Sequence, residues 1–112
     1  MASATLTNEE FDRLLEAARG ALANAHNPYS GLRVGAALLA ADGSVHAGCN
    51  VESASYGLTI CAERNAAFRA VADGVRGFQA IVITTDLDAT LMPCGACRQI
   101  LHELAPGLEV IV

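Results

Sequence analysis

The sequence has little of what a polymer-binding protein needs. It contains no Trp, three Phe and two Tyr among 112 residues, too few for a platform on which successive bases could stack. Seven basic residues stand against twelve acidic ones, for a net charge of −5. No Lys/Arg cluster breaks that balance, so the electrostatic footprint of a nucleic-acid binder is missing. Met1 to Leu6 has no basic region leading into an apolar core and does not read as a signal peptide. The longest apolar run, Val34 to Ala41, falls far short of the ~18 residues that suggest a membrane span. Internal repeats, linkers and low-complexity stretches are also absent. These gaps leave a single domain over 1–112, expected in the cytoplasm, with a small molecule rather than a nucleic acid or a membrane as its partner.

What is present is apolar. Hydrophobic residues make up 53% of the chain, enough for a core without disulfides and high for so small a domain. Part of that surface is expected to be buried against other subunits. Four cysteines in a cytosolic chain point first to metal or catalysis.

The elements read in order. Thr7 and Glu10 form a capping box, and Leu6 and Phe11 stand where a hydrophobic staple would. Phe11, Leu14, Leu15, Ala18 and Leu22 then repeat at helical spacing, and Pro28 predicts a stop before Asn27. Val34 to Ala40 and Val45 to Val51 read as a hairpin turned at Asp42-Gly43. Gly35 and Gly48 mark places of close backbone approach. Thr59 is the expected cap of a second helix over Cys61 to Ala72, with Phe68 and Val71 on its apolar face and Gly74 as its stop. Phe78 to Thr85 reads as a central strand and Asp86 to Pro93 as a loop. Ala96, Ile100, Leu101 and Leu104 mark a third helix, and Leu108 to Val112 begins a last strand. Two strand–helix–strand passages imply parallel pairing with right-handed crossovers. The expected class is an α/β sandwich, a mixed sheet with an antiparallel N-terminal hairpin.

The chemistry lies in two short stretches, Cys61-Ala62-Glu63 and Pro93-Cys94-Gly95-Ala96-Cys97. The Cys94/Cys97 spacing alone serves redox, structural zinc and catalytic zinc sites. A structural zinc would want a fourth ligand. Cys49 lies in a strand and reads as an ordinary buried thiol. His26, His46 and His102 sit in no ligand spacing; His46 reads as a strand surface residue and His102 as a helix one. Three cysteines plus water is then the better site. Both stretches start predicted helices, whose partial positive charge favours thiolate. Arg64, one turn from Cys61, reads either as a surface residue or as a thiolate partner. Glu63 reads either as a helix-start carboxylate or as a base for a water whose pKa zinc lowers toward ~7.

Taken together these stretches resemble the zinc deaminase signature in its three-cysteine form. Pro28-Tyr29-Ser30, Val34-Gly35-Ala36-Ala37-Leu38, Gly48-Cys49-Asn50-Val51-Glu52, Ala54-Ser55-Tyr56-Gly57-Leu58-Thr59, Cys61-Ala62-Glu63-Arg64 and Pro93-Cys94-Gly95-Ala96-Cys97-Arg98-Gln99 look like the small homotetrameric cytidine deaminases. The resemblance covers nearly the whole chain. It implies the three-layer sandwich of that family. It also implies one zinc on Cys61, Cys94 and Cys97, and Glu63 as base and then acid in the deamination of cytidine and deoxycytidine, a step of pyrimidine salvage. The Ala62 N–H would meet the base's carbonyl oxygen, and Asn50 and Glu52 the ribose hydroxyls. Tyr56 would complete a neighbour's site, and Arg64 would support the thiolates. Two departures accompany it. Leu32 stands where the family usually has a stacking Phe, which admits another cytosine-like nucleoside of the blasticidin type. The chain also stops at Val112 as its last strand forms, where the family normally continues through another strand, so the family's C-terminal segment is expected to be lacking. A zinc-stabilised partner subunit without catalysis is the reading from another class, and Glu63 argues against it.

Overall fold

In the computed structural model, residues 6–86 and 93–112 are described. Met1 to Thr5, and the part of the expected loop over 87–92, lie outside them.

Helix α1 (Asn8–Leu22) starts as its capping box requires. The Glu10 N–H donates to Thr7 Oγ1 and the Thr7 N–H to Glu10 Oε1, both at 3.0 Å. Leu6 is buried beneath it with Phe11 packed alongside, which is the expected staple. The helix ends at Leu22, earlier than the proline alone predicts. The Asn24 and Ala25 N–H groups fold back onto Ala21 and Leu22 carbonyls, and the His26 N–H then reaches the Asn50 carbonyl at 3.0 Å. The chain leaves the helix early because it must meet the far end of the hairpin.

Strands β1 (Val34–Ala40) and β2 (Val45–Cys49) form that hairpin, with Gly43 at φ 88° in its turn. Strand β3 (Phe78–Thr85) pairs antiparallel with β1, and β4 (Glu109–Ile111) pairs parallel with β3. The sheet order is β2-β1-β3-β4. The second strand–helix–strand passage therefore gives the expected parallel pair. The first does not: β2 and β3 run the same way, but β1 lies between them. The hairpin leaves β1 in the central position, with β2 along one of its sides and β3 along the other.

The alternation of side chains along β1 and β3 builds two cores. Ala37, Leu39, Ala80 and Val82 face α1, where Leu14 and Ala18 cover them. Ala36, Leu38, Ile81 and Ile83 face helices α2 (Ala62–Ala72) and α3 (Gly95–Leu104) through Ala62, Ala66, Ala67 and Leu101. The three-layer α/β sandwich is thus the observed architecture. No helix among the described residues is long and apolar enough to cross a membrane.

The two strand glycines act as expected. A Cβ on Gly35 would overlap the Ala18 carbonyl, and one on Gly48 would overlap the Ala66 backbone nitrogen. Such contact selects alanine on α2. Its buried face is Ala62, Ala66, Ala67 and Ala70, while Phe68, expected on the apolar face, is 44% exposed and Val71 only half-buried. His46 is likewise not a surface residue. It shares the α2 side of the sheet with Leu38, its register partner, and its Nδ1 lies 3.5 Å from Asp73 Oδ2.

Gly48→Ala should cost on the order of 1–3 kcal/mol, because the helix cannot yield without moving its buried face. Gly20→Ala, in an open position of α1, should instead stabilise by ~0.5–1 kcal/mol through helix propensity. Urea unfolding of the two variants beside wild type measures both signs.

Candidate metal centre and active site

Three thiols meet where α2 and α3 begin. Cys61 is the N-cap of α2, displacing Thr59 from the expected cap, and Cys94 is the N-cap of α3. Thr59 instead accepts the Ser53 N–H at 2.9 Å, which shapes the loop before the helix. Cys97 lies in the first turn of α3 and is fully buried. Cys61 Sγ is 3.6 Å from Cys94 Sγ, which is 3.4 Å from Cys97 Sγ, and all three sulfurs lie within 4.8 Å of one another. Sulfurs bound at ~2.3 Å to a tetrahedral zinc stand about 3.8 Å apart. The separations therefore fit a shared metal. All four cysteines are free thiols.

The charge environment agrees. Cys61 is pushed down to about 5, first by the hydrogen bond from the Cys97 thiol and then, against burial, by Arg64 and Cys94. Cys97 is pushed up by that same bond and by burial. Arg64 Nη2 lies 3.6 Å from Cys61 Sγ and 3.3 Å from the Thr59 carbonyl. The bond to Cys61 holds the guanidinium still more firmly protonated. Arg64 is thus a hydrogen-bond partner of the Cys61 sulfur and not a free surface residue. Among the described residues its buried Nε has no partner of its own.

Glu63, one residue into α2 beyond Ala62, is 5% exposed. Burial pushes its carboxyl up, and the charge on Cys61 adds to this while the Glu63 backbone N–H opposes it. The side chain lines a cavity of about 300 Å³ together with Cys61, Ala62 and Cys94. That volume falls at the lower end of small-molecule sites.

The rest of the cavity comes from the hairpin side. Leu32, Asn50 and Glu52, all singled out by sequence, line it, as do Ser30, Val34, Thr59 and Ile83, which were given no site role. Val34 and Ile83 read from sequence only as strand residues; their position at the strand ends above the pocket is a product of the sheet register. Asn50 is buried and grips the neighbouring loop, with Oδ1 accepting the Val34 N–H and Nδ2 donating to the Leu32 carbonyl, each at 2.9 Å. Tyr56 is not among the lining residues; it stands 80% exposed on a 3₁₀ turn, Tyr56–Leu58. Cys49 pairs in register with Gly35 and so belongs to the α1 side of the sheet, away from the thiols. His26 and His102 are exposed, and among the described residues only the three cysteines form a metal-ligating group.

A three-layer α/β sandwich with three cysteine sulfurs at two helix starts and a buried carboxyl group beside them has the makings of a zinc-dependent hydrolase. Residues 8–112 match the family model described as the cytidine and deoxycytidylate deaminase zinc-binding region, and the chain belongs to that family. A cytidine deaminase of Sporosarcina psychrophila is 46% identical over 98 residues, covering 88% of this chain and 72% of that one. One of Halalkalibacterium halodurans is 52% identical over 94 residues, covering 84% and 71%. The crystal structure of cytidine deaminase from Burkholderia pseudomallei superposes with a TM-score of 0.82 at 49% identity, over 94% of this chain and 83% of that one.

Cys97→Ser should lower bound zinc well below the roughly one ion per chain expected of a mononuclear site. Cys49→Ser, on the opposite sheet face, should leave it unchanged. Metal analysis of the dialysed proteins checks both, and a chelator should lower the melting temperature of wild type far more than that of Cys97→Ser.

Proposed function

We propose that the chain deaminates cytidine and deoxycytidine, consuming water and releasing ammonia with uridine or deoxyuridine. The observation that carries this is the buried Glu63 carboxylate in one cavity with Cys61, Cys94, Asn50 and Glu52. Cys61, Cys94 and Cys97 would hold the zinc, which supplies a Lewis acid that activates water at neutral pH. Glu63 would take a proton from the attacking water and place it on N3 of the pyrimidine. It would then take the proton of the added hydroxyl and pass it to the amino nitrogen, which departs as ammonia as the C4–N4 bond breaks and the C4 carbonyl forms. One carboxylate serves as base and then as acid, and burial raises its proton affinity, which helps it hold the proton between the two tasks.

The other roles follow from position. The Ala62 N–H, at the first helical position of α2, is one of the donors that the helix itself leaves unused, and it suits the carbonyl oxygen of the base. Leu32, Val34 and Ile83 form apolar walls against the pyrimidine. Asn50 and Glu52 lie toward the sugar. None of the lining residues is aromatic, which favours as a second reading a deaminase of another cytosine-like nucleoside, of the blasticidin type. Tyr56 and Leu58, 80% and 70% exposed beside one another, support burial against further copies of the chain, with Tyr56 reaching a neighbour's pocket. A cytoplasmic homo-oligomer in pyrimidine salvage is the corresponding biological setting, with 1–112 as a single domain.

Following the absorbance of cytidine with wild type and Glu63→Ala side by side tests the reading. Wild type should convert it, and Glu63→Ala should be slower by about 10²–10⁴-fold while keeping its zinc. A folded, zinc-loaded wild type inert on both cytidine and deoxycytidine overturns the substrate; activity surviving in Glu63→Ala overturns the role of Glu63.

A further inference from the structure

Glu52 does not enter the pocket as a free carboxylate. Its Oε1 accepts the Tyr29 N–H at 3.1 Å and the Ser30 N–H at 3.0 Å. Its Oε2 accepts the Ser30 hydroxyl. A carboxylate oxygen has room for about two such bonds, so Oε1 is filled and Oε2 keeps a single lone pair. Ser30 Oγ also accepts the Leu32 N–H at 3.0 Å. That bond fixes the hydroxyl on its acceptor side, and the hydroxyl proton is left pointing to Glu52. The same hydroxyl thus ties the side chain facing the sugar to the backbone of the apolar wall. Gly31, at φ 73°, allows the tight turn that brings Ser30 and Leu32 to one oxygen.

We propose that Ser30 is a positioning residue for nucleoside recognition: its hydroxyl aims the one remaining acceptor of Glu52 at a sugar hydroxyl of the substrate. The inference rests on the nucleoside reading of the pocket. It assigns Ser30 no contact with substrate. A carboxylate held only by the two backbone N–H groups could rotate about its last bond, and its free acceptor would then point toward solvent for much of the time. Charge is also involved. The Ser30 hydroxyl, ahead of the Ser30 and Tyr29 N–H groups and the nearby His26, holds the Glu52 carboxyl below the usual range. The carboxylate therefore stays ionised and a pure acceptor, which selects a donating hydroxyl.

The test uses the zinc-loaded chain with Ser30→Ala, Ser30→Thr, Glu52→Gln and the double variant Ser30→Ala/Glu52→Gln. Ser30→Ala should raise KM for cytidine roughly tenfold, the loss typical of a hydrogen bond to a charged group. kcat and zinc content should hold within about twofold. Ser30→Thr, which keeps the hydroxyl, should recover most of the loss. In the Glu52→Gln background the Ser30→Ala change should have lost most of its effect. Independently of turnover, carbon-13 NMR titration should show the Glu52 carboxyl moving up in Ser30→Ala. Full additivity of the two changes, a fall in kcat together with zinc, or a Glu52 titration that does not move each overturns the proposal. A wild type inert on cytidine sinks the nucleoside reading instead, and the titration still decides whether Ser30 holds Glu52.

Discussion

Three sulfurs within 4.8 Å of one another, each of which would carry negative charge when holding a metal, are the constraint on which this structure depends. Two unit charges 4 Å apart repel by about 4 kcal/mol at an effective dielectric of 20. The fold answers by bringing positive charge from three directions. The N-termini of α2 and α3 each present roughly half a charge, with Cys61 and Cys94 as their N-caps. Arg64 brings a full charge to Cys61. A zinc ion held by the three thiolates would then be less completely neutralised by them, and would keep more of its pull on a water molecule.

Topology makes that convergence possible. β2 and β3 both run antiparallel to β1, so their C-terminal ends share one edge of the sheet. The chain enters α2 after β2 and α3 after β3, so both helices start above that edge. Ligands in α/β folds gather at the carboxyl ends of strands for this reason. Gly48 then sets the depth. With no Cβ in the way, α2 settles onto β2 through backbone contact with Ala66, and Glu63 is carried below the surface. A bulkier strand residue would lift the helix, and with it Cys61 and Glu63 together.

The metal centre was legible in the sequence because its information is chemical and local. Within each of the two stretches, Cys61 to Glu63 and Pro93 to Cys97, the thiols, the carboxylate and the helix-start signals lie within a few residues, although 33 residues separate Cys61 from Cys94. The capping box and the strand glycines were legible for the same reason. What the sequence did not reveal was tertiary. The buried face of α2 is alanine rather than Phe68 because Gly48 brings the sheet so close. Thr59 gives up the cap because Ser53 claims its hydroxyl. The separation of β2 from β3 follows from β1 pairing with both of them, one along each of its sides. The hold of Ser30 on Glu52 joins residues 22 apart in the chain, and no periodicity encodes it.

The pocket divides its work unevenly, and this bears on selectivity. Its apolar walls, Leu32, Val34 and Ile83, are aliphatic and without directional preference. An added or missing methylene against such a wall is worth only ~1–3 kcal/mol, whereas a polar group left unpaired discriminates far more strongly. On the proposed reading, discrimination would therefore fall on groups that have a direction, among them the Ala62 N–H, Glu63, Asn50 and Glu52. Asn50 spends one acceptor and one donor on the loop that carries Leu32, and Glu52 spends all but one acceptor on Tyr29 and Ser30. What remains for a ligand is a small and fixed set of hydrogen-bonding positions. A site with few unspent positions, each held rigid by the bonds already made, tolerates variation on the face of a base better than variation at the hydroxyl it is built to meet.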